Sequence, residues 1–226
     1  MLMLIDDADL RNIEELYSKY PYDGVTTNPT ILSKTGNPDP MDQLKQIRSL
    51  IPSDAMLHAQ VLSVETEDMV REAKYMVSVL GKDTFIKVPV TENGLKAISI
   101  LSSENIRVTA PAIYGTMSAF LAAKAGAEFL APYVNRLDNL GYNGVQTALD
   151  IHMMVKAAGY KAEVLGASFK NAQQVIDMGK GGIGAVTVSS DLLKSLAFNG
   201  IAENAVKDFI RDFESCCGEG KTMLDF

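Results

Sequence analysis

The sequence predicts an α/β protein built as a single (β/α)8 TIM barrel with an extra C-terminal helix. Three observations lead there. Short apolar runs alternate with longer amphipathic stretches from end to end. Eight such runs occur in the 226 residues, a mean spacing of about 28, which fits one strand and one helix per unit. Most of them show little polar alternation, as strands buried on both faces of a parallel sheet should. An open doubly wound sheet is the structural rival. It normally uses fewer strands, and no Gly-x-Gly-x-x-Gly pattern follows the first run.

The candidate strands are 2–6, 24–27, 56–62, 84–88, 106–110, 127–133, 162–167 and 184–188, rich in Val, Ile, Leu, Phe or small residues. Helix-like patterns fill the intervals at 8–19, 40–50, 65–80, 92–103, 114–125, 144–158, 171–179, 190–197 and 202–215. Thr66 and Ser190 sit where an N-cap is expected, and Gly81, Gly94, Gly159 and Gly200 fall near boundaries. No Pro/Ser-rich linker, low-complexity tract or long charge run interrupts the chain. Residues 1–226 therefore read as one domain. Within it, 202–226 forms a helix and tail carrying Met223, Leu224 and Phe226, available to a neighbouring subunit.

Composition narrows the partners. At 47% hydrophobic and 22% charged residues, the chain can bury enough surface to fold. The 21 Lys+Arg against 28 Asp+Glu leave a formal net charge of -7, which argues against a nucleic-acid surface. An anionic substrate must be caught by a few placed cations or backbone N–H groups. Cys216 and Cys217 are adjacent, poorly disposed to bond each other and without another thiol to pair with. A reducing, cytoplasmic setting is the expectation. The opening Met1-Leu2-Met3-Leu4-Ile5 is cut short by Asp6 and Asp7, so it reads as neither signal peptide nor membrane span.

In a barrel, chemistry sits at the C-terminal ends of the strands, and the polar residues there are informative. Strand one ends in Asp6, strand two runs into Thr26-Thr27-Asn28-Pro29, and strand three carries Gln60. Strand four carries Lys87, strand six runs into Tyr133 and Arg136, strand seven ends in Ser168, and strand eight leads into Ser189-Ser190-Asp191. Lys87 stands out. A lysine inside an apolar strand is costly to bury charged, its pKa falls on desolvation, and a neutral amine adds to a ketone to form a Schiff base. The plainer alternative is an edge-strand or snorkelling lysine, although Pro89 and the lack of alternation speak against a water-facing edge.

Each of the others has a plain alternative too. Asp6 can be a turn residue or helix cap, Asn28 can start a turn, and Arg136 can pair with Asp138 on the surface. Tyr133 can be a rim aromatic, and Gln60 a buried amide with partners. His58 and His152 read as structural, belonging to no cluster with metal-ligand spacing. No metal or cofactor is called for.

Four segments together resemble the small transaldolase-like class I aldolases, a family that contains fructose-6-phosphate aldolases and short transaldolases. They are Gly24-Val25-Thr26-Thr27-Asn28-Pro29, Ile86-Lys87-Val88-Pro89-Val90-Thr91, Ala131-Pro132-Tyr133-Val134-Asn135-Arg136-Leu137-Asp138 and Ala167-Ser168-Phe169-Lys170. The resemblance implies that Lys87 is the Schiff-base lysine, that Asp6 exchanges protons with substrate hydroxyls, and that Asn28 bonds the sugar chain. It implies that Arg136 and Ser168 hold the phosphate and that Thr26 lines the pocket. A homo-oligomer, pentamer or decamer, is implied as well.

Short transaldolases generally carry Glu and Phe where this chain has Gln60 and Tyr133, so the resemblance is to the aldolase branch. A tyrosine hydroxyl beside a relay water offers one more donor and acceptor for protonating the enamine left by carbon–carbon cleavage. One departure stands out: strand five has Pro111 where the family usually has a water-holding threonine, with Thr109 two residues earlier on the same side. The expected function is cleavage or formation of fructose 6-phosphate from dihydroxyacetone and glyceraldehyde 3-phosphate. The alternatives are a transaldolase moving a dihydroxyacetone unit between sugar phosphates, and a barrel that binds phosphosugars without catalysis.

Overall fold

A computed structural model describes residues 1–197 and 200–226. Its first half runs β1 (Leu2–Asp6), α1 (Leu10–Tyr17), β2 (Gly24–Thr26), α2 (Pro29–Ser33), α3 (Pro40–Leu50), β3 (Met56–Gln60), α4 (Thr66–Leu80), β4 (Phe85–Lys87) and α5 (Glu92–Ser103). The second half runs β5 (Val108–Ile113), α6 (Thr116–Ala125), β6 (Phe129–Pro132), α7 (Val134–Asn139), α8 (Gly144–Ala157), β7 (Glu163–Gly166), α9 (Ala172–Lys180), β8 (Ala185–Val188), α10 (Ser190–Ala197) and α11 (Gly200–Cys217).

The eight strands close into one barrel in chain order, and every neighbouring pair is parallel. Side chains alternate in and out along each strand. Inward, Leu4, Phe85, Phe129, Leu165 and Ala185 fill the barrel, with Met56 and Tyr133 against them. The alternate residues Ile5, Val25, Leu57, Ile86, Leu130, Val164 and Val186 are fully or almost fully buried, on the face that the helices cover. Helix residues at three- and four-residue spacing meet them, as with the buried Met69, Ala73, Met76 and Leu80 of α4. Two buried faces explain why the strands lack polar alternation.

Two short helices, α2 and α7, escape the sequence pattern because neither is long enough to show a period. Both start just past a strand end, and both carry residues of the site. One cap expectation is corrected. Glu65, not Thr66, is the N-cap of α4, and the Thr66 hydroxyl donates to the Asn93 carbonyl at 3.0 Å. The β5–β6 register shifts between Ala110 and Ile113, where Ala112 takes φ 56°, a β-bulge-like break that lengthens β5 past the predicted 106–110.

The described chain divides into two compact units, Met1–Leu192 and Leu193–Phe226. The first holds all eight strands. The second holds most of α10 and all of α11, and there Phe213 meets Phe226 edge to face at 6.3 Å between centroids. Among the described residues, no helix is long and apolar enough to cross a membrane.

Candidate active site

The strand ends open into a cavity of about 570 Å³ within the barrel unit. At its base is Lys87, the last residue of β4, with only 4% of its surface exposed. Its Nζ donates to the Thr27 carbonyl at 2.8 Å. That carbonyl is well held, because Thr27 binds the His58 carbonyl through both its backbone N–H, at 2.9 Å, and its hydroxyl, at 3.1 Å. Burial lowers the lysine's pKa, and the carboxylate of Asp6 partly restores it. A placed amine with a depressed pKa is what addition to a carbonyl requires.

Asp6 ends β1 and faces the same cavity. Burial raises its pKa, opposed chiefly by the Lys87 charge and then by a hydrogen bond from Thr26 Oγ1 at 2.7 Å. Asp6 is not the cap of α1; Asp9 is, accepting from the Arg11 backbone N–H. Among the described residues Lys87 and Asp6 form no ion pair, so the two groups face each other across space that a ligand can enter. Thr26 also shares a 2.7 Å hydrogen bond with Thr187 on β8. It therefore stands behind Asp6 and fixes it, rather than lining the cavity wall as expected.

Asn28 starts a short helix rather than a simple turn. Its side chain caps α2, accepting from the Ile31 N–H at 3.0 Å, and it also lines the cavity. Across the barrel, Tyr133 precedes α7 and Arg136 lies within it. The Arg136 guanidinium sits 4.5 Å from the Tyr133 ring centroid and donates to Tyr114 Oη at 3.4 Å. Burial pushes the Tyr133 phenol up, so it stays protonated as a donor. Asp138 is not the partner of Arg136; it accepts from the Gly144 N–H and the Gln174 side chain at 2.7 and 2.6 Å. Ser168 adopts φ 61°, an uncommon conformation for a non-glycine residue. Its carbonyl accepts from the Asn135 N–H at 2.9 Å, which ties it to the start of α7 beside Arg136.

Gln60, like Thr26, does not line this cavity. Its Cα pairs with Lys87 in register, but its side chain lines an adjoining groove with Pro29, Leu32, Leu44, Leu62, Tyr75 and Met76. The groove opens where the short α2 leaves room beside β3. Thr109 lines neither space, because its hydroxyl is bonded to His58. Thr187 was not singled out from the sequence, although inward alternation along β8 would have found it. Lys34 and Arg11 also line the cavity; Lys34 is the C-cap of α2, where the sequence showed no helix, and Arg11 lies in the first turn of α1. Arg11 is paired with Asp9, which leaves Arg136 and Lys34 as the cations best placed for an anion.

A closed parallel barrel with a buried lysine, a carboxylate facing the same cavity and cations at its rim has the layout of a sugar-phosphate enzyme family. The chain matches the Transaldolase/Fructose-6-phosphate aldolase family over residues 3–222, and it belongs to that family. It is 36% identical over 213 residues to a probable fructose-6-phosphate aldolase of Streptococcus pneumoniae, covering 94% of this chain and 96% of that one. It is 33% identical over 214 residues to a probable transaldolase of Hydrogenobaculum, covering 95% and 97%. A probable transaldolase of Methanococcus maripaludis is 34% identical over 215 residues, covering 95% and 98%.

Proposed function

We propose that the protein is a Schiff-base aldolase that cleaves or forms fructose 6-phosphate. The observation that carries the reading is the buried Lys87 amine at the cavity base, held opposite Asp6 with Arg136 and Ser168 at the rim. The Lys87 amine adds to the C2 ketone, and loss of water leaves an iminium. Asp6 takes the proton of the C4 hydroxyl as the C3–C4 bond breaks, releasing glyceraldehyde 3-phosphate and leaving an enamine. Protonation of that enamine at C3, followed by hydrolysis, frees dihydroxyacetone and restores the lysine. Tyr133, protonated and beside Asp6, is the donor placed to assist through water. Arg136 and Ser168 supply a charge-assisted and a neutral hydrogen bond to the phosphate, concentrating positive charge in an acidic protein.

The runner-up is a transaldolase, which hands the enamine to an aldehyde before a proton reaches it. Two observations favour it: Gln60 faces the adjoining groove, and Thr109 is committed to His58, so fewer groups hold a relay water than expected. Assaying dihydroxyacetone release from fructose 6-phosphate, with and without erythrose 4-phosphate, separates the two. Release without acceptor supports the aldolase; turnover only with acceptor supports the transaldolase. Binding without either product would favour a phosphosugar-binding barrel and overturn both. A cytoplasmic homo-oligomer, pentamer or decamer, accompanies this reading, and sedimentation checks the assembly.

A further inference from the structure

Strand β5 carries a feature that the chemistry above leaves unused. Ala110 pairs with Leu130 and Ile113 with Pro132, so Pro111 and Ala112 of β5 together stand against the single Ala131 of β6. That is one residue too many for a regular ladder, which makes the break a bulge. Both residues belong there. Proline has no N–H to give to a ladder, and inside a sheet it is at home at such irregularities. Ala112 takes φ 56°, a conformation that alanine keeps only where its surroundings impose it.

The extra residue reverses the side on which each later side chain falls. Counted by twos from Thr109, the partner of Phe129, an unbroken strand would turn Ile113 toward the barrel and Tyr114 toward the helices. With the bulge, Ile113 stands opposite Pro132, and its carbonyl accepts from the Tyr133 N–H at 3.2 Å. Tyr114 then falls on the side of Tyr133, which packs against the barrel interior. The contacts follow. The two tyrosine rings meet edge to face at 5.9 Å between centroids, and Tyr114 Oη accepts from Arg136 Nη1 at 3.4 Å. The same guanidinium lies 4.5 Å from the Tyr133 centroid. It is held by two neutral aromatic residues, and among the described residues no carboxylate forms an ion pair with it.

We infer that Tyr114 is a positioning residue for Arg136, turned into place by the Pro111–Ala112 bulge so that the guanidinium stays aimed at the substrate's phosphate. The inference rests on the proposed role of Arg136 as the phosphate ligand. Tyr114 does not itself line the cavity, so it acts through the guanidinium. Arg136 is exposed, and an arginine free at a rim loses rotamer entropy when it binds. A stacked ring and a hydroxyl acceptor remove part of that cost in advance. Because both partners are neutral, they orient the charge without cancelling it, and the remaining N–H donors stay available to an anion.

The test uses the full chain and borohydride trapping, comparing half-saturation by fructose 6-phosphate with that by dihydroxyacetone, which has no phosphate. Wild type, Tyr114→Phe, Arg136→Ala and the double variant are measured. Tyr114→Phe keeps the ring and removes only the acceptor. Its half-saturation for fructose 6-phosphate should rise by about three- to tenfold, the scale of one hydrogen bond. The plateau trapping rate and the dihydroxyacetone curve should stay within about twofold of wild type. In the double variant the value should equal that of Arg136→Ala alone, because without the guanidinium the hydroxyl has nothing to hold. An unchanged Tyr114→Phe, an equal loss for both ligands, or a further rise in the double variant would overturn the inference. Wild-type half-saturation in Arg136→Ala would instead remove the phosphate role beneath it.

Discussion

Lys87 Nζ lies 2.8 Å from the carbonyl oxygen of Thr27, a contact that reaches from β4 across β3 to the end of β2. The bond fixes the amine before any substrate arrives, and its acceptor is itself pinned to the His58 carbonyl. A carbonyl can accept from an ammonium or a neutral amine, so the contact holds the nitrogen without dictating its charge. Burial then favours the neutral form and the Asp6 carboxylate opposes it.

That opposition has a sign that can be read. Removing the Asp6 charge withdraws support for the ammonium, so Lys87 should lose its proton at still lower pH. In Asp6→Asn the midpoint of Schiff-base formation is expected to move down in pH, measured by borohydride trapping of dihydroxyacetone. Turnover of fructose 6-phosphate should fall by about 100-fold or more, the scale of a lost general acid–base group. An unchanged midpoint would separate Asp6 from Lys87 electrostatically.

Arg136 offers a test of substrate binding apart from chemistry. Replacing it by Ala should raise KM for fructose 6-phosphate by about 10–100-fold, the scale of a lost hydrogen bond to a charged group. Trapping of phosphate-free dihydroxyacetone should change by less than about twofold, since it carries nothing for the guanidinium to bind. A parallel loss for both ligands would point to a role in holding Tyr133, on which Arg136 stacks.

The barrel was legible in the sequence because β-strands buried on both faces and helices with one apolar stripe each leave their own period. Lys87, Asp6, Asn28, Tyr133, Arg136 and Ser168 were found by asking which polar residues stand at strand ends, and all six line one cavity. What the chain order could not convey was lateral. Gln60 and Lys87 are in register, yet the short α2 opens a second groove that takes the glutamine side chain. The hydroxyl of Thr109 went to His58, two strands away, a contact no local pattern encodes.

Tyr133 separates release from transfer. With Tyr133→Phe the enamine loses a nearby donor while the amine, the carboxylate and the phosphate site are untouched. The ratio of free dihydroxyacetone to product transferred onto erythrose 4-phosphate should fall by about tenfold or more. A ratio that does not move would remove the phenol from the proton path.

One stability test concerns the loop after β4. At Gly94 an added Cβ would stand 1.8 Å from the Pro89 carbonyl oxygen, while the Gly94 N–H is the one that Thr91 caps at 3.0 Å. Gly94→Ala should cost about 1–3 kcal/mol through overpacking, several degrees in Tm at this chain length, by thermal melting. Because Pro89 follows Lys87 closely, trapping efficiency should drop with it.

The central claim is that Lys87 is the nucleophile. Wild-type protein and Lys87→Met are each incubated with dihydroxyacetone and borohydride, digested, and mapped by mass spectrometry. Wild type is expected to carry one reduced three-carbon adduct, on the peptide containing Lys87, and Lys87→Met none. An adduct on another lysine, or undiminished labelling of a folded Lys87→Met protein, would contradict the account.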